Sequence, residues 1–324
     1  MQEMTIYTNG SLATQRAGFT PDLFSRWISF IDAAPKTAET YTRNLRGFIS
    51  YLAENGITEP RREDVIAYRD GLKAQGKRPT TIQSYLAPVR LFFTWTAAEG
   101  LYPNVAAHIK GAKIDKAHKK DYLTSRQSGN LLGSIDRTTL KGKRDFALLF
   151  TMITTGLRTV SIIRANIGDL RPAGDFTALY YQGKGHEEKA DFAKIEPEAE
   201  DAIREYLNAR GEKDPAAPLF ASEAHRNAGE RMTTRSISRI AKEHMVEIGL
   251  DDERHTAHSL RHTAATLALL NGESLEDTQK LLGHASIDTT QIYAHHIDRA
   301  RSTVERTITA AILPYIKSNT SGNR

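Results

Sequence analysis

His258, Arg261, His284 and Tyr293 bring two imidazoles, a guanidinium and a phenol into one short stretch near the C-terminal end of the sequence. A phosphodiester is an anion, and attack at phosphorus puts more charge on its two non-bridging oxygens. A catalyst for that reaction therefore needs positive donors fixed where the charge develops. Arginine suits the task because its planar fork reaches two oxygens and stays protonated. A free phenol ionises near pH ~10, so as a nucleophile it needs neighbours that stabilise phenolate and a base that takes or relays its proton. The set suits binding a phosphodiester and attacking it with Tyr293. There are twelve tyrosines in the chain, so position rather than residue type selects this one.

The elements that must position these groups are legible in the spacing. Leu260, Ala264, Leu267 and Leu270 recur at helical intervals, so His258 and Arg261, three apart, project from one helix face. A second amphipathic segment with Leu275, Leu281 and Leu282 closes at Gly283, and His284 falls in the turn beyond it. A fresh helix start over Ser286 to Thr289 puts Tyr293 about two turns into the next helix.

The strings H-S-L-R-H, L-L-G-H-A-S and T-T-Q-I-Y, with T-T-G-L-R at Thr154 to Arg158, resemble the signature of tyrosine site-specific recombinases of the phage integrase and Xer type. The resemblance covers roughly Tyr122 to Arg299 in motifs, and four separated motifs in the right order make it specific. It implies that Arg158 and Arg261 are the family's two arginines and that His258 assists the proton transfer. It implies Tyr293 as the nucleophile, giving a 3′-phosphotyrosine bond and a free 5′-hydroxyl without metal, ATP or other cofactor. His284 matches the position that donates to a phosphate oxygen. Lys184, in Q-G-K-G-H at the tip of an expected hairpin, resembles the lysine that protonates the leaving oxygen, with Lys189 a nearby competitor. One departure is Ser161, where the family often has an acid; its hydroxyl, Asp145 or Asp169 is then the substitute. His262, His295 and His296 read as structural or supporting.

The fold class expected is mainly α with a small β-hairpin sheet: a helical core DNA-binding domain followed by a mixed α+β catalytic domain. Residues 1–19 read as a flexible arm. Helical patterns over Pro21–Ala33, Thr37–Glu54, Arg62–Gln75 and Pro79–Glu99 place the first domain at 20–110. A lysine-rich linker at 111–121 leads to the catalytic domain at 122–313. There, helices at Thr124–Ile135 and Lys141–Thr155 precede a hairpin pairing Phe176–Tyr181 with Lys189–Ile195. Further helices follow at Pro197–Arg210, Thr234–Ile248 and Asp298–Ile312, with a polar tail at 314–324.

The net charge of +5 is carried entirely by the front of the chain. Up to Asp121 there are 17 Lys and Arg against 12 Asp and Glu, and the remainder is balanced. That fits a module gripping a polyanion. The absence of cysteine excludes disulfides and Cys-based zinc sites. No apolar run approaches the ~18 residues of a membrane span, and no secretory signal is evident. A cytoplasmic, nucleoid-associated protein is expected. His258 and His262 stand four apart, but Ser259 occupies the place of the glutamate in H-E-x-x-H, which argues against a metalloprotease. A type IB topoisomerase shares the residue set, and a DNA-binding regulator without cleavage activity is the rival from another class. The resemblance implies double-stranded DNA with a specific core site as substrate, a homo-tetramer on that DNA, a Holliday junction intermediate and a possible accessory or directionality protein. A Xer-like resolvase or mobile-element integrase fits best.

Overall fold

The structure is a computed structural model that describes residues 6–8, 11–13, 21–113, 121–183, 188–284, 286–301 and 303–320. The fold is mostly helical with a small antiparallel sheet, and the chain divides into two compact units, 1–117 and 118–324.

The first unit holds α1 (Pro21–Phe30), α2 (Pro35–Glu54), α3 (Arg62–Ala74) and α4 (Pro79–Ala98). Three of them open on proline, where the missing N–H costs nothing. Their apolar stripes converge on Trp27, Leu45, Phe48, Leu86, Phe92 and Phe93, all fully buried. Edge-to-face contacts such as Phe48 with Phe93, 6.0 Å between centroids, fix the ring geometry. Pro88 lies inside α4 and cannot donate to the carbonyl four residues back. That carbonyl, on Ser84, accepts instead from the buried Asn44 amide of α2 at 3.0 Å. Ahead of the helices, β1 (Ile6–Thr8) pairs antiparallel with β2 (Ser11–Ala13). The sequence reading placed no strands here, since three-residue strands are too short to show a period.

The second unit is built around α10 (Ala257–Leu270), which packs on α6 (Leu140–Thr155), α9 (Thr234–Glu247), α11 (Leu275–Leu282) and α12 (Asp288–Arg301). From Ser259 to Thr266 every residue of α10 is buried, so this helix is central rather than amphipathic. Around these, α5 (Ser125–Gly133) packs on α6 and α9, α7 (Thr159–Arg164) on α9 and α8 (Pro197–Arg210) on α6.

The sheet has three strands in the order β3 (Leu170–Ala173), β4 (Phe176–Tyr181), β5 (Asp191–Ile195), with Leu179 opposite both Leu170 and Ala193. The sequence reading anticipated β4 and β5 but not β3. Pro172 sits on the edge strand β3, where a residue without an N–H is tolerated. The expected helix over Asp298–Ile312 is also corrected. Residues 298–301 finish the helix that carries Tyr293, and α13 (Val304–Thr320) takes up the rest and continues into the expected tail. Val304, Ile308 and Ile312 on α13 are exposed.

Candidate active site

Arg261 is the most firmly held of the expected groups. It is 3% exposed, and it donates from Nη1 to the Gly156 carbonyl and from Nη2 to the Leu282 carbonyl, both at 2.6 Å. Those oxygens lie at the C-terminal ends of α6 and α11, where helix dipoles are negative, so two helix ends together hold the buried cation. Burial, then repulsion from Arg158, draws its pKa down to about 10, with Tyr293 and Tyr181 opposing. It remains charged at neutral pH. Both helices stop in left-handed glycines, Gly156 (φ 63°) and Gly283 (φ 58°). A Cβ on Gly156 would meet Leu282 Cδ2 at 2.8 Å, so the close approach of the two helix ends also requires glycine.

Arg158 follows two residues after Gly156 as the N-cap of α7, with extended backbone and no capping bond from its side chain. It lines the same cleft as Arg261, His258, His284 and Tyr293, a concavity of about 1040 Å³. Five of the six expected site residues are thus brought together from four separate segments. The sixth, Lys184, lies outside the described residues. Its competitor Lys189 is committed elsewhere: Nζ donates to the Arg164 carbonyl at 2.9 Å and pairs with Asp169.

His258 is exposed at the cleft, while His262 one turn on is buried. The two rings meet edge-on, 4.8 Å between centroids, and His262 in turn lies 5.2 Å from the Tyr293 ring. His262 therefore stands between the exposed imidazole and the phenol, a placement the sequence reading reduced to a supporting role. Tyr293 is 7% exposed and packs on Ala265 and Leu282. Burial pushes its pKa up, and Arg261 and then Arg158 pull it back. His284 is half-buried, with Nδ1 2.9 Å from Thr290 Oγ1. Burial first, then Arg261, Arg158 and His258, lowers its pKa to about 4, so the ring is neutral.

Ser161 is buried in α7. The two acids considered as substitutes have other partners. Asp145 joins Arg144, Lys141 and His244 in a buried ionic group, and Asp169 pairs with Lys189 and accepts from the Asn166 N–H. Among the described residues, the acid that does line the cleft is Asp191, at the start of β5. Tyr181, opposite it on β4, lines the cleft as well. Neither was anticipated, because cross-strand register depends on strand pairing. The alternation along β4, which puts Tyr181 on the buried face with Leu179, was the available signal.

Two guanidiniums, three imidazoles and two phenols facing one concavity can bind an anion and activate an oxygen nucleophile. Among the described residues, no group of three or more His, Asp or Glu is placed to hold a metal ion.

Residues 121–299 match the Phage integrase family, and residues 27–100 match the Phage integrase, N-terminal SAM-like domain. The chain belongs to the phage integrase family of tyrosine recombinases. It is 32% identical over 266 residues to the tyrosine recombinase XerC of Pelobacter propionicus, covering 81% of this chain and 85% of the relative. It is 29% identical over 290 residues to XerD of Listeria innocua serovar 6a, covering 85% and 94%. In fold it is similar to a XerH recombinase bound to palindromic difH in a post-cleavage complex (TM-score 0.66, 21% identity, 83% of this chain and 80% of that one). It is also similar to a lambda integrase dimer bound to a COC′ core site (TM-score 0.63, 18% identity, 82% and 95%). No helix among the described residues is long and apolar enough to cross a membrane.

Proposed function

We propose that this chain cuts and rejoins double-stranded DNA at a specific core site, with Tyr293 as the nucleophile. The observation that carries the reading is the shared cleft: Arg158 and Arg261, remote in sequence, line it together with Tyr293, His258 and His284. The Tyr293 oxygen attacks phosphorus, the 5′-oxygen leaves, and the strand stays joined to the protein as a 3′-phosphotyrosine. Arg158 and Arg261 neutralise the non-bridging oxygens, and Arg261 meets that charge already fixed by two carbonyls. His258, at the open side, takes the phenolic proton. His284 donates from its ring to the same phosphate. Lys184 protonates the leaving oxygen. Because the ester conserves the bond energy, resealing is the reverse reaction with a new 5′-hydroxyl.

We infer two domains gripping DNA, a helical core-binding domain at 20–110 and a catalytic domain from 122, joined by a lysine-rich linker. Four protomers hold two duplexes and pass through a Holliday junction, the kind of DNA to which a lambda integrase tetramer of similar fold is bound. The exposed apolar residues of α13 suit docking between protomers. An accessory DNA-binding protein that sets the direction of recombination fits the same scheme. A Xer-like resolvase or a simple mobile-element integrase is the biological role this supports.

The test uses a duplex selected from random-sequence DNA by binding to the protein, with a nick beside the cleavage position so that the released end is lost. The intact protein should form a covalent adduct that denaturing electrophoresis resolves, and Tyr293→Phe should form none while binding equally well. An adduct that persists in the Phe variant assigns the attack to another residue. Binding without any adduct from the intact protein supports a regulator.

A further inference from the structure

Tyr181 ends β4 directly across from Asp191 of β5. It is 7% exposed, and what remains accessible lines the cleft. Its hydroxyl reaches the turn after α11: a Cβ added at Gly283 would stand 3.2 Å from that oxygen. Gly283 follows Leu282, whose carbonyl holds Arg261. The tip of the phenol therefore lies beside the anchor of the buried guanidinium, in space that glycine leaves open.

The electrostatics agree with this placement. Burial raises the Tyr181 pKa most, Asp191 raises it further, and Arg261 and Arg158 oppose. In return, Tyr293 and Tyr181 both favour the charged form of Arg261. Two phenols thus flank one guanidinium. Asp191 sets Tyr181 apart, because a carboxylate next to it disfavours phenolate there.

We propose that Tyr181 is a second phenol of the active site, whose hydroxyl donates a hydrogen bond to a non-bridging oxygen of the phosphodiester held by Arg158 and Arg261. The proposal rests on reading this cleft as the phosphodiester site. A neutral donor adds to the two cations without repelling either. Its seat on the middle strand of the sheet fixes its direction, whereas Tyr293 sits on a helix beyond the turn that carries His284. Tyr181 is then a substrate-contacting residue and not a rival nucleophile.

The experiment measures single-turnover adduct formation on the nicked duplex just described, with an ordinary phosphate or with either phosphorothioate diastereomer at the cleavage position. Sulfur is a poor hydrogen-bond acceptor, yet the group keeps its charge. Tyr181→Phe should slow cleavage of the ordinary duplex roughly tenfold or more, the loss expected for one hydrogen bond to a charged oxygen. On the diastereomer whose sulfur replaces the contacted oxygen, the intact protein and the variant should react at the same rate. An equal penalty on all three duplexes would indicate a structural role and overturn the proposal, as would no penalty at all.

Should the Phe variant fail to fold, Asp191→Asn gives the answer. Tyr181 faces Asp191 on β5, Arg158 before α7 and Arg261 on α10, and the cleft also holds His258, His262, His284, Lys280 and Tyr293. Removing the carboxylate lets Tyr181 ionise earlier, so the alkaline limb of cleavage should move to lower pH. An unmoved limb overturns the proposal. If the intact protein forms no adduct, the reading of the cleft itself fails. If it does and Tyr181→Phe matches it, only the second phenol is lost.

Discussion

At neutral pH the His284 ring is uncharged and carries one N–H, so what it can give a phosphate depends on its tautomer. Thr290, fully buried on α12, decides this from Nδ1 at 2.9 Å. When the hydroxyl donates to Nδ1, the proton stays on Nε2, which is then the nitrogen free to donate. Thr290→Val keeps the shape and removes the donor. Cleavage of the nicked duplex should fall about tenfold with DNA affinity unchanged, and Thr290→Ser should restore it. Retention of full activity in the Val variant would show that Nδ1 needs no partner. The motif strings pointed to Arg158, His258, Arg261, His284 and Tyr293, which line one cleft, since local spacing fixes which helix or turn carries each. They were silent on Tyr181 and Asp191, and T-T-Q-I-Y contains Thr290 without showing that its hydroxyl meets the His284 ring. Those residues matter through strand register and a hydroxyl packed beneath a ring, neither of which is written in linear spacing. The fate of Lys189 likewise needed coordinates, because its partner Asp169 is twenty residues away.

Among the elements, α4 shows how a local fault is compensated by a neighbour. Asn44 supplies to the Ser84 carbonyl the donor that Pro88 withholds. Asn44→Leu should therefore cost about 1–3 kcal/mol, the usual penalty for an unsatisfied buried polar group. Pro88→Ala, by returning an N–H to the helix, should remove most of that penalty, and denaturant melts of the four proteins in the cycle would measure the coupling. Additive effects would show that the two residues act independently. Helices announced themselves through period and caps, as in Pro79 opening α4 and Gly283 closing α11. Short or interrupted elements did not. The edge strand β3 was disguised by its proline, and the break between α12 and α13 falls where the apolar pattern runs on from Ile297 to Ile312 without a proline or glycine to mark it.

For the catalytic unit as a whole, the buried ionic group around Asp145 ties α6 to α9 and couples stability to pH. His244 bonds Asp145 through Nε2 at 3.3 Å and Glu247 through Nδ1 at 2.9 Å. The bond to Asp145, against burial and with help from Glu247, raises the His244 pKa above its ordinary 6.5. Burial alone would raise the Asp145 pKa, but His244, Arg144 and Lys141 outweigh it and leave it below its ordinary 3.8. The His244 contribution is therefore complete below about pH 6.5 and is lost as pH rises through the raised folded value. The Asp145 contribution is present above about pH 3.8 and is lost as pH falls through the lowered value. Thermal melts from roughly pH 6 to 9 should show the intact protein losing more stability than His244→Gln does over that range. Parallel curves would exclude His244 as the titrating group. Arg144 strengthens the group by also donating to the Ala221 carbonyl at 3.2 Å.

The two carbonyls that grip Arg261 belong to the main chain, and no substitution deletes a peptide oxygen. Side chains around the C-terminal ends of α6 and α11 are thus free to diverge as DNA preferences change, provided both helices still terminate where they do. The aim of this cation is inherited from the path of the backbone, which leaves the reaction indifferent to much of the sequence drift that retunes recognition.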